Sequence, residues 1–407
     1  MLAGYNANII VLRHSLEGSS RFLSELFEKK GIPVINAGDG SNNHPTQTLL
    51  DLTTIKERKG KLDGLKMVLV GDSLYGRTAN GFLQAGKHYD FDITIVSPEN
   101  LMIPKWKVDD YEKATGKKIK FISDLKEALK TADVVYVMRI QKERFPEANR
   151  EEEFEKARRS YHINKALLDS LDNPELMVLH PLPRNKNALE LSTDVDNTSF
   201  NSYFEQARNG LFVRAFLIKE LLTGTRYESS SFVDRVKPLD SFWIDKPIIN
   251  GTKQGQHFIY RIEEGTLIDH LPAGQGLNVY KLLGFDKLQT PSVVAPNIHS
   301  KSHGSKDVIG IPNLKLTEEQ LKLLSLIVPD ATVNYISNGE VIKKGSIALP
   351  MVVDGLITCP NPKCITNPSN NEGVTSRFYQ QDVENFRCHY CERPIALEEI
   401  RANLIRD

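Results

Sequence analysis

The sequence predicts an α/β protein with two parallel-sheet lobes, the first incomplete, followed by a ferredoxin-like α+β domain and a small cysteine-rich β domain. Three observations carry this reading. Continuous apolar runs at 66–70 (KMVLV), 92–96 (DITIV), 133–138 (DVVYVM) and 176–179 (LMVL) are mostly separated by helical stretches; strands apolar throughout belong to a parallel sheet covered on both faces. Residues 256–345 read β-α-β-β-α-β, the order of a ferredoxin-like sandwich. All four cysteines lie after residue 358.

Taken in order, a strand at 8–12 leads into an amphipathic helix at 18–29, with Phe22, Leu23, Leu26 and Phe27 on one face and Gly31 placed to stop it. A short strand at 33–36 and a Gly/Asn loop follow, then a helix opening at Pro45, a residue favoured at the first helical position. A buried strand this close to Met1 leads us to expect a further N-terminal portion upstream. After the apolar runs, a long helix at 202–223 is ended by Gly224, with Phe204, Leu211, Phe212, Phe216 and Leu221 on its apolar face.

Residues 225–255 are rich in Ser, Pro, Asp, Gly and Lys without sustained periodicity and read as a linker, although Phe242 and Trp243 offer docking side chains. Beyond it we expect strand 257–262, helix 275–284, strands 291–298 and 306–311, helix 317–328 and strand 332–343. Thr317 with Gln320 forms a capping-box pattern. Asn338-Gly339 is a turn signal able to interrupt the last strand.

Composition narrows the function. Lys plus Arg and Asp plus Glu number 52 each, so the basic excess of a nucleic-acid or membrane-surface protein is absent. No apolar run approaches the ~20 residues of a membrane span, and the N-terminus lacks signal-peptide features. A cytoplasmic location is the default expectation. In that reducing compartment clustered cysteines favour metal over disulfides. Cys359 and Cys364 are separated by four residues, Cys388 and Cys391 by two. Two such knuckles present four thiolates to one Zn²⁺ and leave no open position. The last 57 residues are therefore expected to form a small zinc-bound β domain in which the metal is structural and supports a thin core.

In the sheet half, candidate ligand groups sit where strands end or helices begin. These are Arg13-His14, the segment His44-Pro45-Thr46-Gln47, the Gly71–Thr78 turn with Arg77, the run from Arg139 to Arg144, and His180 to Arg184. Ligands of open α/β sheets bind outside the carboxyl ends of the strands, where helix N-termini add positive potential. Arg13, Arg77 and Arg139 converging there would grip small, multiply anionic substrates. Singly, His44 reads as well as a helix cap or core residue, Arg77 as a solvated face or ion pair, and Glu143 with Arg144 as a mutual pair. The turn lacks G-x-G-x-x-G spacing, and no Walker loop, H-E-x-x-H or Ser-His-Asp order occurs.

The string AGDGSNNHPTQTLLDL (37–52), with GRT at 76–78, RIQKER at 139–144 and HPLPR at 180–184, resembles the catalytic chain of aspartate carbamoyltransferase. The related ornithine enzymes share HPTQ but typically carry His-Cys-Leu-Pro where this chain has His180-Pro181-Leu182-Pro183. EEGTLIDHLPAGQG (263–276), ATVNYI (331–336) and the four cysteines resemble the regulatory chain of the same enzyme, usually a separate polypeptide.

The resemblance implies transfer of a carbamoyl group from carbamoyl phosphate to the amine of L-aspartate. It divides the chain into a partial carbamoyl phosphate-binding lobe (1–58 with 200–224), an aspartate-binding lobe (59–199), the linker, a regulatory nucleotide-binding domain (256–350) and a zinc-binding domain (351–407) that docks on catalytic chains. It assigns Arg13 and His44 to carbamoyl phosphate and catalysis, and Gln47 to the carbamoyl NH₂. Arg77, Arg139 and Gln141 take the aspartate carboxylates, Pro181 and Leu182 offer backbone carbonyls, and Glu143 and Arg144 orient the others. Ile262, Asp269, His270, Lys306, Asn334, Val341 and Lys344 fall to an allosteric pocket for nucleotide effectors of the CTP/ATP class. Gly310 stands where the family usually has another lysine.

The family's Ser-Thr-Arg-Thr phosphate loop and the lysine loop lent by a neighbouring subunit occur nowhere in this sequence. The resemblance implies a homo-oligomer built on catalytic trimers with sites between subunits, so this polypeptide alone is expected to be poorly active. The alternatives are a non-catalytic nucleotide-sensing or assembly subunit, and a carbamoyltransferase for another amine.

Overall fold

A computed structural model describes residues 2–140, 142, 145, 147–184, 190–224, 243–248, 262–300 and 304–406. The chain divides into two compact units near residue 227.

The first unit runs β1 (Ile10–His14), α1 (Ser19–Glu28), β2 (Val34–Asp39), α2 (Pro45–Lys59), β3 (Leu65–Val70), α3 (Arg77–Ala85), β4 (Phe91–Val96), α4 (Lys105–Thr115), β5 (Lys120–Phe121), α5 (Leu125–Leu129), β6 (Val134–Val137), α6 (Arg150–Ser160), α7 (Lys165–Asp169), β7 (Met177–Leu179) and α8 (Tyr203–Thr223). β1 and β2 pair in parallel as a two-stranded sheet. The other strands form a parallel sheet in the order β5-β4-β3-β6-β7.

The apolar runs do what continuous hydrophobicity demands. Met67 and Leu69 of β3 turn to a core with Phe82 of α3, Ile55 of α2 and Tyr111 of α4. Val68 and Val70 turn to the opposite core, with Leu129 of α5, Leu168 of α7 and Tyr203 of α8. Apart from Lys66 and Asp92 near the strand starts, the residues of β3, β4, β6 and β7 are covered on one face or the other, so no polar alternation survives.

α8 corrects the sequence reading. Phe204, Leu211, Phe212 and Phe216 are 48–70% exposed. The buried positions are Tyr203, Gln206, Asn209 and Gly210. Its contact with α2 is polar: the Asn209 amide donates to Thr54 Oγ1 at 3.1 Å and to Glu57 Oε2 at 2.6 Å. A hydrogen-bonded face turned inward leaves the apolar face outside, the reverse of what periodicity suggests. Gly224, at φ 94°, ends the helix as expected.

The second unit carries β8 (Trp243–Asp245), β9 (Gly265–Pro272), α9 (Gly276–Leu282), β10 (Val293–Ser300), β11 (Gly304–Pro312), α10 (Glu318–Ile327), β12 (Thr332–Ser337) and β13 (Glu340–Ile347). Its antiparallel sheet has the order β10-β11-β9-β12-β13-β8, and α9 and α10 share one core with it. Thr317 and Gln320 make the reciprocal capping box of α10.

Three expectations change here. The strand that precedes α9 is β9 at 265–272, where none was expected; of the expected strand 257–262, residues 257–261 lie outside the described residues, and Ile262 precedes β9. The expected strand 332–343 is a hairpin, since Asn338 (φ 52°) and Gly339 (φ 74°) make the left-handed turn that joins β12 to β13. Within the expected linker, Trp243–Asp245 pair with β13 as an edge strand. Gly345 makes this possible: a Cβ there would lie 2.5 Å from the Trp243 ring, which stacks on Tyr335 at 5.8 Å. Three residues are too few to show periodicity.

The chain closes with β14 (Val352–Asp354), β15 (Arg377–Gln380), β16 (Asn385–Cys388), β17 (Pro394–Ala396) and α11 (Leu397–Arg406). The four strands form an antiparallel sheet in chain order.

Candidate active site and cysteine cluster

The site in the first unit starts from the loop between β2 and α2. Asp39, buried at the end of β2, organises it: its carboxylate accepts from the Gly18 N–H at 2.9 Å, the Asn36 amide at 2.8 Å and the Asn43 N–H at 3.1 Å. This holds His44 at the N-cap of α2, ahead of Pro45. Arg77 opens α3, and its guanidinium lies flat against Gly38: a Cβ there, at φ 118°, would sit 2.0 Å from Nη1. Asn80 of α3 donates to the Asn42 carbonyl at 2.9 Å and the Asn43 side chain at 2.8 Å, which locks α3 to the same loop.

Arg13, Arg77 and the α8 residue Arg214 all bear on the imidazole of His44. Burial first, then repulsion from Arg77, Arg214 and Arg13, lowers its pKa to about 4 against the opposing pull of Asp39. The ring is therefore neutral at pH 7, with one nitrogen able to donate a hydrogen bond and the other to accept one.

Arg139 emerges from the end of β6 beside the turn that leads to Arg77: Cβ atoms built on Gly71 and Gly76 would meet the Met138 carbonyl at 2.5 Å and its sulfur at 3.1 Å. The Arg139 Nε is buried and has no hydrogen-bond partner among the described residues. Gln141, Glu143 and Arg144 lie outside the described residues. Pro181 and Leu182 follow β7; the Leu182 N–H donates to His180 Nδ1 at 2.9 Å, and Leu182 holds a φ of 43°. Arg184 is engaged internally, with both guanidinium nitrogens on Asp196 at 2.6 and 2.9 Å.

Gln47 leads to a buried polar chain. Its Nε2 donates to Asp51 Oδ1 at 2.9 Å, one turn further along α2. Gln206 Nε2 from α8 donates to the same oxygen at 2.6 Å, and Gln206 Oε1 accepts from the His180 N–H at 2.9 Å. Burial lifts the Asp51 pKa to about 7 despite these bonds. The Tyr136 hydroxyl faces the same carboxyl, yet neither it nor Oδ2 makes a well-formed hydrogen bond among the described residues.

Arg214 and Gln206 carry no motif signal of their own, and Asp51, although inside the string 37–52, is given no role by the resemblance. The available clues were the i, i+4 step from Gln47 to Asp51 and the polar face Gln206–Asn209–Gly210 on α8.

In the second unit, Lys306 Nζ meets Asp269 Oδ1 at 2.6 Å, and His270 Nδ1 lies 3.2 Å from Asp269 Oδ2. Burial, with Lys306, Lys246 and Lys344, lowers the His270 pKa against the pull of Asp269. Asn334 pairs with Lys344 and Leu267 in register, and its amide donates to the Leu267 carbonyl at 3.2 Å. Ile262 is buried over Gly310, where a Cβ would meet its Cδ1 at 2.9 Å. Val341 pairs with Ile336, nearer the turn.

The sulfurs of Cys359, Cys364, Cys388 and Cys391 all lie within 4.8 Å of one another, and all four residues are buried. Cys359 and Cys391 are 3.6 Å apart. A tetrahedron of thiolates about 2.3 Å from a metal has edges of roughly 3.8 Å, so the cluster fits a four-sulfur metal site.

Comparison with known proteins places these parts. Residues 1–57 match the aspartate/ornithine carbamoyltransferase carbamoyl-P binding domain and 63–221 its Asp/Orn binding domain. Residues 258–348 match the aspartate carbamoyltransferase regulatory chain allosteric domain and 351–401 its metal binding domain. Protein PyrBI of Thermotoga maritima is 35% identical over 429 residues, spanning 98% of this chain and 80% of that protein. The chain belongs to the aspartate carbamoyltransferase family. Catalytic-type and regulatory-type domains of that family are fused in one polypeptide, as the sequence reading expected. The aspartate carbamoyltransferase catalytic subunit of Thermococcus kodakarensis is 46% identical over 212 residues, 52% of this chain and 65% of that protein. The catalytic subunit of M. jannaschii aspartate transcarbamoylase is 41% identical, with a TM-score of 0.49 over 56% of this chain and 70% of that one. The chain thus spans about two thirds of the length of these aspartate carbamoyltransferase catalytic subunits. No helix among the described residues is long and apolar enough to cross a membrane.

Proposed function

We propose that the first unit acts as an aspartate carbamoyltransferase: the amine of L-aspartate attacks the carbonyl carbon of carbamoyl phosphate, the bond from that carbon to the phosphate oxygen breaks, and carbamoyl aspartate and phosphate leave. The observation that carries this is a neutral His44 among Arg13, Arg77 and Arg214. Neutral imidazole donates to the carbonyl oxygen as negative charge gathers on it, while the guanidiniums hold anions. Arg13 takes the phosphate; Arg77, Arg139 and Gln141 take the aspartate carboxylates; Gln47 accepts from the carbamoyl NH₂. Pro181 and Leu182 turn their carbonyls to the amine, and Glu143 and Arg144 orient the others. Holding two reactants side by side supplies much of the acceleration.

The cysteine cluster suits Zn²⁺, which when bound closes the domain structurally and does no chemistry. Cytoplasmic reducing conditions would keep its thiols available. Ile262, Asp269, His270, Lys306, Asn334, Val341 and Lys344 form the candidate pocket for nucleotides of the CTP/ATP class, in an oligomer built on catalytic trimers.

The test is formation of carbamoyl aspartate, with ornithine as competing acceptor, alongside calorimetric titration with carbamoyl phosphate. Turnover by this polypeptide alone is expected to be low, since no Ser-Thr-Arg-Thr segment occurs in its sequence. Binding of carbamoyl phosphate that weakens in His44→Ala supports the reading; no binding by the unaltered chain refutes it.

A further inference from the structure

We propose that Asp51 is a positioning residue that fixes the amide of Gln47 so that its oxygen faces the carbamoyl NH₂, and that Gln206 ties this arrangement to the His180 turn. The inference rests on the substrate reading above but goes beyond it.

A glutamine amide can be turned either way about its last bond. Turned one way it offers an oxygen, turned the other an NH₂, and only the oxygen suits the NH₂ of carbamoyl phosphate. Gln47 cannot choose freely. Asp51 Oδ1 at 2.9 Å accepts from Nε2, and reversing the amide would set two acceptor oxygens against each other in a site closed to water: Gln47 is 9% exposed and Asp51 0%. Such a buried clash costs more than one hydrogen bond returns.

The same Asp51 oxygen accepts from Gln206 Nε2, whose own orientation is fixed by the His180 N–H at its Oε1. With Asp51 Oδ1 unprotonated, the chain Gln47–Asp51–Gln206–His180 therefore has one consistent set of donors and acceptors. It joins α2 and α8 to the turn that carries Pro181 and Leu182. Both sides of the carbamoyl subsite are held by one carboxyl that touches no substrate. Asp51 has no lysine or arginine within hydrogen-bond distance among the described residues; its well-formed hydrogen bonds come from the two amides.

Acetyl phosphate distinguishes positioning from mere stability, because it replaces the carbamoyl NH₂ with a methyl group and cannot use the Gln47 oxygen. Affinities for carbamoyl phosphate and acetyl phosphate are measured by calorimetry on the full chain and on Asp51→Asn and Asp51→Leu, with folding checked by circular dichroism. The unaltered chain and Asp51→Asn, which keeps an acceptor oxygen in place, should prefer carbamoyl phosphate. Asp51→Leu should lose about tenfold of that preference, the worth of one hydrogen bond, with acetyl phosphate affinity unchanged. Equal loss of both ligands, or a preference undiminished in Asp51→Leu, overturns the proposal. Should Asp51→Leu not fold, Asp51→Ala, which leaves room for water, is read by the same criteria. An unaltered chain that binds both ligands equally overturns the Gln47 assignment itself, and one that binds neither overturns the substrate reading and this inference with it.

Discussion

His180 donates from Nε2 to the Glu190 carboxylate at 3.0 Å, with both side chains shut away from water. The tautomer follows from the other nitrogen: Nδ1 accepts the Leu182 N–H at 2.9 Å, so the proton sits on Nε2. Glu190 thereby orients the ring that braces the Pro181–Leu182 turn. Glu190→Ala leaves a buried N–H without its acceptor and should lower unfolding free energy by about 1–3 kcal/mol. Glu190→Gln, which keeps an oxygen in place, should cost less than half of that. Urea titration of the three proteins checks the order; equal stability of Glu190→Ala and the unaltered chain would remove the bracing role.

Asp51 sets a pH dependence of stability. Its pKa rises from 3.8 to about 7 on folding. The folded chain therefore holds this proton more tightly than the unfolded chain. The resulting stability is complete below about pH 4 and is lost as pH rises through about 7. A shift of roughly three units corresponds to about 4 kcal/mol. Asp51→Asn cannot ionise and should flatten this part of the profile, becoming more stable than the unaltered chain at pH 8. Melting curves from pH 5 to pH 8.5 on both proteins decide it; parallel profiles would sink the idea.

His44 behaves oppositely. Its pKa falls from 6.5 to about 4, so the neutral form persists well below pH 6.5 in the folded chain, and its share of stability is complete above about pH 6.5 and is lost as pH falls from there through about 4. Carbamoyl phosphate affinity should therefore show no step near pH 6.5. NMR titration of the His44 ring protons checks this directly; a midpoint near 6.5 would mean that neither burial nor the arginines act on the ring.

Gly38 holds Arg77 by having no side chain. Gly38→Ala would place a Cβ 2.0 Å from Nη1, on a backbone at φ 118°. The guanidinium is the mobile end and must swing away, while the strained backbone costs about 1 kcal/mol. We expect aspartate affinity to fall at least tenfold, with carbamoyl phosphate affinity changed much less. Calorimetric titration with each ligand separates the two; equal losses would point to collapse of the whole loop.

The parallel sheet was legible because its strands other than the short edge strand β5 are buried on both faces, which writes itself as an apolar run such as Met67–Val70. The buried face of α8 was not legible. Gln206 and Asn209 point inward because their partners on α2 are polar, and nothing in a single helix reveals its neighbour's chemistry. β8 escaped for a different reason. Trp243 finds its place only because Gly345, about a hundred residues later, leaves a gap beneath it. Within the site, motif residues such as His44 and Arg77 stood out, but Arg214 reaches His44 from a helix whose sequence says nothing of anions. The fixing of Gln47 by Asp51 is visible only when both ends of its hydrogen bonds are seen.

The cysteine cluster yields the last prediction. Four buried thiols within 4.8 Å of one another, in a four-stranded sheet of short strands, leave the 351–407 domain dependent on whatever binds them. Zinc binding free energy is folding free energy in such a domain. Metal analysis should find one zinc per chain. Its removal with a chelator under reducing conditions should abolish hydrogen-exchange protection in β15 and β16, while β3 and β6, whose cores contain no cysteine, keep theirs. Cys388→Ser should reproduce the loss without chelator. Protection of β15 and β16 that survives complete metal removal would show that the apolar residues Phe378 and Phe386, both fully buried, hold the sheet unaided.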